Sequence, residues 1–371
     1  MPDNAHGGLL EELLEELAIR PIIHGGGTKS SMGGALVHPQ VAAVMRQALD
    51  VFFDMEHLLR VVGAGAAKAL GVEAAAVVAG AASGCVLGAA VMREAVPAQR
   101  PAHLLTQRRH YGRYTYLYEQ ADCLVTEVGT MNDCPLSCYE DAIDEDCVGI
   151  AWLEGPGIRT AGARLDEVCD LARRHGLPVI VDAAAMAHPF DTIRGYLASG
   201  ADLVVVSGGK LMGGPQASGF VLGSASLTER IRAIGFPHQG VGRAHKITKE
   251  VALGALVAAR RFAAPDDERY SGVAQRAERI ASALLLAGVP ARVEQNSRHL
   301  VPAVVAFDVR QRLGVAPSAI SSRELENPVP VFFPFDDSLD EVYLEFASLD
   351  PAHDDLVLDR LLTALRSGCP S

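Results

Sequence analysis

The stretch "GADLVVVSGGKLMGGPQASGFVLG" (200–223) joins a run of β-branched residues to one lysine, Lys210, set among glycines, and then enters a second short apolar run. A lysine on a solvated turn needs no such setting. A lysine whose amine must meet a bulky ligand at the end of a buried strand does, and the glycines then read as room for that ligand.

Working outward, apolar runs of strand length recur along the chain. They are "AAVVAG" (75–80), "HLLTQ" (103–107), "CLVTEVG" (123–129), "GIAWLEG" (149–155), "LPVIVDAA" (177–184), "DLVVVSGG" (202–209) and "SGFVLG" (218–223). Helical patterns such as "RLDEVCDLARRHG" (164–176), stopped by a glycine, lie between them. Strands that are apolar throughout and alternate with helices imply an α/β fold of three layers, a mostly parallel seven-stranded sheet covered on both faces. A long helix is expected over 246–264. Beyond it, "GVPARVEQNS" and "VPAVVAFDV" read as strands of a smaller α+β domain ending in a helix over 354–367.

At the other end, Leu9, Leu10, Leu13, Leu14 and Leu17 form an apolar stripe opposite Glu11, Glu12, Glu15 and Glu16. The expected organisation is an N-terminal helix and loop over 1–35, packed on the small domain or a partner subunit, a large domain over 36–260 and a small domain over 261–371. "GGGTKSSMGG" (25–34) reads as a flexible loop, because Lys29 follows Thr28 where a P-loop demands Gly. "GAGAAK" (63–68) sits in a helical pattern and lacks the third glycine of a dinucleotide fingerprint.

The 371 residues exceed the size at which one core stops growing, and 49% of them are apolar. The net charge is −12, and the densest basic stretch, "QRRHYGR" (107–113), is too short to follow a phosphate backbone, so nucleic acid is not the expected partner. No run approaches the ~20 apolar residues of a membrane span, and the N-terminus lacks signal-peptide features. The seven cysteines (85, 123, 134, 138, 147, 169, 369) have no CxxC spacing and read as reduced thiols, with neither disulfide framework nor metal site. Cys134 and Cys138 read as small apolar residues or as a neighbouring pair. A soluble, cytoplasmic protein without membrane contact is expected.

Ligands of open α/β sheets sit beyond the carboxyl ends of the strands, and three strand ends here carry distinctive groups. "VVAGAASGCVLGAAVM" passes from a strand through small residues into a helix, where the N–H groups of Ala81, Ala82 and Ser83 suit a phosphate; tight helix–sheet packing explains the small residues equally well. "VIVDAAA" ends a strand with Asp182, a carboxylate that needs a donor or cation. Lys210 follows 28 residues later, past the end of the next strand. Taken singly, Asp182 also reads as a helix cap and Lys210 as a turn residue. Together they have the spacing of a carboxylate on a pyridinium nitrogen and an amine in a Schiff base with the same ring.

On these motifs the chain resembles the fold-type-I pyridoxal-phosphate (PLP) enzymes, and within them the selenocysteine-synthase-like group that includes D-glucosaminate-6-phosphate ammonia-lyase. The resemblance runs from about residue 20 to 260 and rests on "IIHGGGTKSSMGGALVHPQVAAVM", "FFDMEHLL", "SGGKLMGGPQ" and "FPHQGVGRAHKITKE" together with the strand ends above. It implies an aspartate-aminotransferase-like fold with PLP as cofactor and Lys210 as the Schiff-base lysine. Asp182 would hold the ring nitrogen, and Ser207 the phosphate beside Ala81, Ala82 and Ser83. It also implies His110 near the ring face, Gly242 and Arg243 reaching a partner subunit's cofactor in a homodimer or larger homo-oligomer, and Arg323 as a carboxylate-binding arginine. Two departures stand out. Met186 replaces a glutamate that ammonia-lyase relatives tend to carry, and "FFPFDDSLDE" replaces an arginine-containing segment. The function expected is a PLP-dependent lyase acting on a small-molecule amino acid, by Cα deprotonation and α,β-elimination with ammonia release. A racemase or epimerase, an aminotransferase, a selenium or sulfur transferase and a non-catalytic PLP-binding protein stay open as alternatives.

Overall fold

A computed structural model describes residues 7–112, 114–186, 190–264 and 272–366. The chain divides into two units, one of Thr28–Glu268 with Asn296–Leu300, the other of Met1–Gly27, Arg269–Gln295 and Val301–Ser371.

The larger unit is built on seven strands: β1 (Ala74–Val78), β2 (His103–Gln107), β3 (Leu124–Val128), β4 (Cys147–Leu153), β5 (Val179–Asp182), β6 (Leu203–Ser207) and β7 (Gly219–Gly223). Their order is β3-β2-β4-β5-β6-β7-β1, and only β7 runs antiparallel to its neighbours. The sequence expectation of a mostly parallel seven-stranded sheet is met, because continuous Val, Ile and Leu runs leave no polar face to expose. Every residue of β2, β5, β6 and β7 is buried. Register fixes what meets at one edge. Leu153 pairs with Asp182, Ser207 with Gly219, and Gly219 with Val78, so the carboxyl ends of β4, β5, β6 and β1 share that edge.

The helix Ala81–Arg93 lies on this sheet through glycines. A Cβ at Gly84 would fall 2.8 Å from Val205, and one at Gly88 would fall 2.5 Å from Ile180. Close packing is therefore one reason for its small residues. Helix Lys249–Phe262 falls within the expected 246–264.

The smaller unit holds a four-stranded antiparallel sheet of Phe335–Asp336, Glu341–Glu345, Ala303–Ala306 and Ala291–Glu294, in that order. Helices Val273–Leu286 and Asp354–Arg366 are tied by Arg276, which donates to both carboxylate oxygens of Asp354 at 2.9 and 2.6 Å. Segment 1–27 belongs to this unit because Ile23–His24 pairs in parallel with Val331–Phe332. The flexible loop expected at 25–34 is pinned. Gly25 donates to the Phe332 carbonyl at 3.0 Å and Gly25–Gly27 are buried, while Ala35, just past the loop, donates to the Gly209 carbonyl at 3.1 Å. Leu9, Leu10 and Leu13 of helix Gly7–Glu16, and Leu17 after it, are exposed.

Cys369 lies outside the described residues; the other six cysteines are free thiols. Among the described residues no helix is long and apolar enough to cross a membrane.

Candidate active site

A cavity of about 400 Å³ opens at the shared strand edge, lined by groups from four strand ends. β5 supplies Asp182, the end of β6 supplies Ser207 and the loop after it Lys210, the turn after β1 supplies Gly80 and the helix that follows Ala81 and Ala82, and β4 leads into Glu154.

Asp182 is 6% exposed and accepts the Ala184 N–H at 3.1 Å. Burial pushes its carboxyl above the ordinary range, against the Ala184 N–H, the Lys210 charge and the Cys85 thiol, which all favour the carboxylate. Burial pulls the Lys210 amine below its ordinary value, and Asp182 opposes that shift. Behind Asp182 lies a buried chain of donors. Cys85, in the second turn of helix Ala81–Arg93, hydrogen-bonds Asp182, and Tyr118 hydrogen-bonds Cys85. Burial, and then the Asp182 charge, hold the Cys85 thiol protonated, so the thiol is the donor to the carboxylate.

The glycines around Lys210 do not serve as room for a ligand. A Cβ at Gly209 would lie 2.3 Å from Gln216 Cα, one at Gly208 2.3 Å from Ser218 Oγ, and one at Gly214 2.8 Å from Ala258 Cβ. The loop folds so tightly on itself that it excludes side chains, and this tightness fixes Lys210. Its carbonyl accepts from Gly213 N at 2.9 Å, with Gly213 in the left-handed region at φ 65°.

At the opposite end, Gly80 caps helix Ala81–Arg93 at φ 88°, and the first N–H groups of that helix border the cavity. An anion is favoured there. Ser83 departs from expectation. Its hydroxyl donates to the Ala79 carbonyl at 2.8 Å and meets His245 Nδ1 at 3.0 Å, and Ser83 does not line the cavity. The helix turn satisfies that hydroxyl internally.

Residues 37–306 match the family model of the L-seryl-tRNA selenium transferases, SelA. The chain belongs to this family. It is 28% identical over 368 residues to a 5'-C-glycyluridine monooxygenase-decarboxylase from a Streptomyces species, covering 94% of this chain and 90% of the relative. It is 27% identical over 261 residues to a D-glucosaminate-6-phosphate ammonia lyase of Salmonella typhimurium, covering 66% of this chain and 69% of that one. A solved D-glucosaminate-6-phosphate ammonia-lyase superposes with a TM-score of 0.82 at 22% identity, over 99% of this chain and 100% of the other. The fold is that of type I PLP enzymes, and this SelA-family chain is an enzyme of that PLP-dependent class.

Other expected site residues of the SelA-family chain are more scattered. His110 does not line the cavity. It is 1% exposed, its ring sits edge-on to Trp152 at 5.2 Å and its Nδ1 accepts the Leu153 N–H at 3.3 Å, one layer behind the wall. Gly242 is buried against Ile234 and Gly235, where a Cβ would fall 2.2 Å from the Ile234 carbonyl oxygen. Arg243 is exposed, with its guanidinium 5.2 Å from the Phe236 ring centre, and does not line the cavity of its own chain. Arg323 is in the last turn of helix Pro317–Glu326 in the smaller unit, and is half-buried. Its charge favours the neighbouring Glu324 carboxylate.

Sequence reading missed Glu154, Tyr114, Ser30 and Gln216, which all line the cavity. Gln216 Nε2 donates to the Ser30 carbonyl at 2.9 Å. Tyr114 is held at φ 62°, uncommon outside glycine. Glu154 carried a usable signal. It lies 28 residues before Asp182, the interval that also separates Asp182 from Lys210, so one further strand–helix cycle leads back to it.

Proposed function

We propose that this chain is a PLP-dependent enzyme of the cytoplasm that takes the Cα proton from an α-amino acid with Lys210 and releases ammonia by α,β-elimination. One observation carries the reading: a lysine amine, a buried carboxylate and a helix N-terminus converge on one 400 Å³ cavity. That donor set suits PLP. The N-terminal N–H groups of helix Ala81–Arg93 match a phosphate, the enclosed carboxylate a ring N–H, and the amine an aldehyde, in a volume typical of cofactor sites. When bound, the cofactor supplies the Schiff-base carbon and a ring that accepts the electron pair left at Cα.

The chain's own residues then have distinct tasks. Asp182, with Ala184 N and Cys85 beside it, holds a proton on the ring side of its carboxylate. Gly80, Ala81, Ala82 and Ser207 hold the anionic end. Lys210, whose amine burial makes easier to deprotonate, removes the Cα proton. Arg243 and Gly242 are proposed to serve the neighbouring subunit of a homo-oligomer, in keeping with an Arg243 that stays clear of its own cavity. Exposed Leu9, Leu10, Leu13 and Phe52 are further candidates for subunit contact.

A second reading has its own support. The monooxygenase-decarboxylase matches 94% of this chain, against 66% for the ammonia lyase. Loss of the substrate carboxyl group with uptake of dioxygen therefore stands beside elimination. A panel of amino acids and amino sugars in D₂O separates them. Ammonia and a 2-keto acid appearing together support elimination. Carbon dioxide with oxygen uptake supports the second reading, and deuterium at an inverted Cα without ammonia would replace both by epimerisation.

A further inference from the structure

Elimination needs an acid at the leaving group, and the segment after β5, "AAAM" (183–186), offers none. We propose that Glu154 is that acid, giving its proton to the group that departs from Cβ; the inference rests on the elimination reading above.

Glu154 is the first residue after β4, and its backbone N–H donates to the Asp182 carbonyl at 2.9 Å, which sets it beside the end of β5. Glu154 lines the same cavity as Lys210 and Asp182. Two donors hold the carboxyl. The Trp152 indole N–H reaches Oε1 at 2.8 Å, and the Tyr196 hydroxyl, on helix Phe190–Ala198, is the second. Trp152 is itself fixed, 2% exposed and edge-on to His110. His110 thus acts as a positioning residue for the acid, which gives that buried histidine a place in the site without contact to the cavity. Leu117, Leu153, Pro156 and Ile158 form the apolar part of the wall. Such surroundings favour a neutral carboxyl, and burial raises Glu154 above its ordinary value even against its two donors.

Of the other ionisable groups on the wall, Asp182 and Lys210 have tasks in the reading above, and Tyr114 is 58% exposed, whereas Glu154 is shielded and held by two donors. With a β-hydroxy amino acid, Lys210 removes the Cα proton and the Cβ–O bond breaks with its electron pair on oxygen. The Glu154 proton joins that oxygen and water leaves. Glu154 is left as a carboxylate, stabilised by the Trp152 and Tyr196 donors. Addition of one water to the unsaturated amine then gives the 2-keto acid and ammonia, with no net oxidation.

The test compares wild-type and Glu154→Gln holoenzyme on β-hydroxy amino acids and on β-chloroalanine, whose chloride departs without a proton. A general acid contributes on the order of 100- to 10,000-fold. Ammonia release from the β-hydroxy substrate should therefore fall by about 100-fold or more, while β-chloroalanine turnover and Cα–H exchange in D₂O stay within about threefold. Equal losses on both substrates, or no loss on either, overturn the assignment. Infrared difference spectra supply a readout that needs no substrate: wild type at neutral pH should show a neutral-carboxyl band that Glu154→Gln lacks. Absence of that band also overturns the assignment. If wild-type enzyme exchanges no Cα proton with any amino acid offered, the elimination reading fails instead, and the band alone decides whether Glu154 is a neutral acid.

Discussion

Gly219 tests whether the helix N-terminus beside the cavity binds the cofactor's anionic end. It is the first residue of β7, between Ser207 and Val78. A Cβ there would lie 2.8 Å from Ala81 N, 2.8 Å from the Gly80 carbonyl carbon and 2.9 Å from the Val206 carbonyl oxygen. All three are backbone atoms, and none can rotate away. Reaching the 3.4 Å of ordinary contact moves the Gly80–Ala81 backbone by about 0.6 Å, which re-aims the N–H groups bordering the cavity. Overpacking of this kind costs about 1–3 kcal/mol of stability. Losing one hydrogen bond to a charged group costs about 1.5–3 kcal/mol, hence about 10- to 100-fold in cofactor affinity. Gly219→Ala should thus still fold, with a lowered melting temperature, and bind PLP about 10- to 100-fold more weakly in an absorbance titration. Gly88→Ala is the control. Its Cβ meets the movable tip of Ile180, so affinity should stay unchanged. If Gly219→Ala binds PLP as tightly as wild type, the anion lies elsewhere.

Borohydride reduction of the PLP-loaded protein should attach the pyridoxyl group to Lys210, and a peptide map placing it on Lys29, Lys68, Lys246 or Lys249 would reject the site. Cys85→Ala removes a donor to Asp182, so weaker PLP binding and slower Cα–H exchange are expected. Cys85→Ser, which keeps a donor, should restore most of both; equal defects in the two variants would mean that Cys85 is only packing. In cofactor-free protein the folded Lys210 amine lies below its unfolded value of 10.5, so folding disfavours its charged form. The stability difference between wild type and Lys210→Met should therefore shift in favour of wild type as pH rises from below the folded value towards 10.5, and a flat or opposite trend in denaturant melts would contradict the burial argument.

The sheet was legible because its strands are apolar on both faces, a pattern few other structures share. Asp182 and Lys210 stood out for a related reason: a charged group at the end of such a run needs a partner or ligand, and the structure brings both to one cavity. Ser83 stays off the cavity wall with its hydroxyl on the Ala79 carbonyl one turn earlier, a contact that composition does not show. The glycines near Lys210 are a similar case. Space for a ligand and self-packing of a loop both call for glycine, and only the 2.3 Å approach to Gln216 separates the two. Glu154 was overlooked because "WLEGPG" lacks the apolar residue after the acid that makes "IVDAAA" stand out. Segment 1–27 joins the C-terminal unit through two-residue pairing with Val331–Phe332, and so short a strand leaves no periodic trace.

The equal 28-residue intervals from Glu154 to Asp182 to Lys210 have a structural meaning. β4, β5 and β6 are parallel neighbours, so each strand–helix cycle returns the chain about 4.8 Å further along the same edge. Three ionisable groups that line one cavity thereby follow consecutive strands. Burial raises both carboxyls and lowers the amine, so each is driven towards its neutral form. Groups in that condition exchange protons at neutral pH more readily than their solvated counterparts would. The antiparallel β7 then separates β6 from β1, and with it from the helix N-terminus that follows β1. In the proposed reading, the helix N–H groups that would take the anion therefore stand one strand away from the Lys210 amine and the Glu154 carboxyl, with Ser207 at the end of β6 between them.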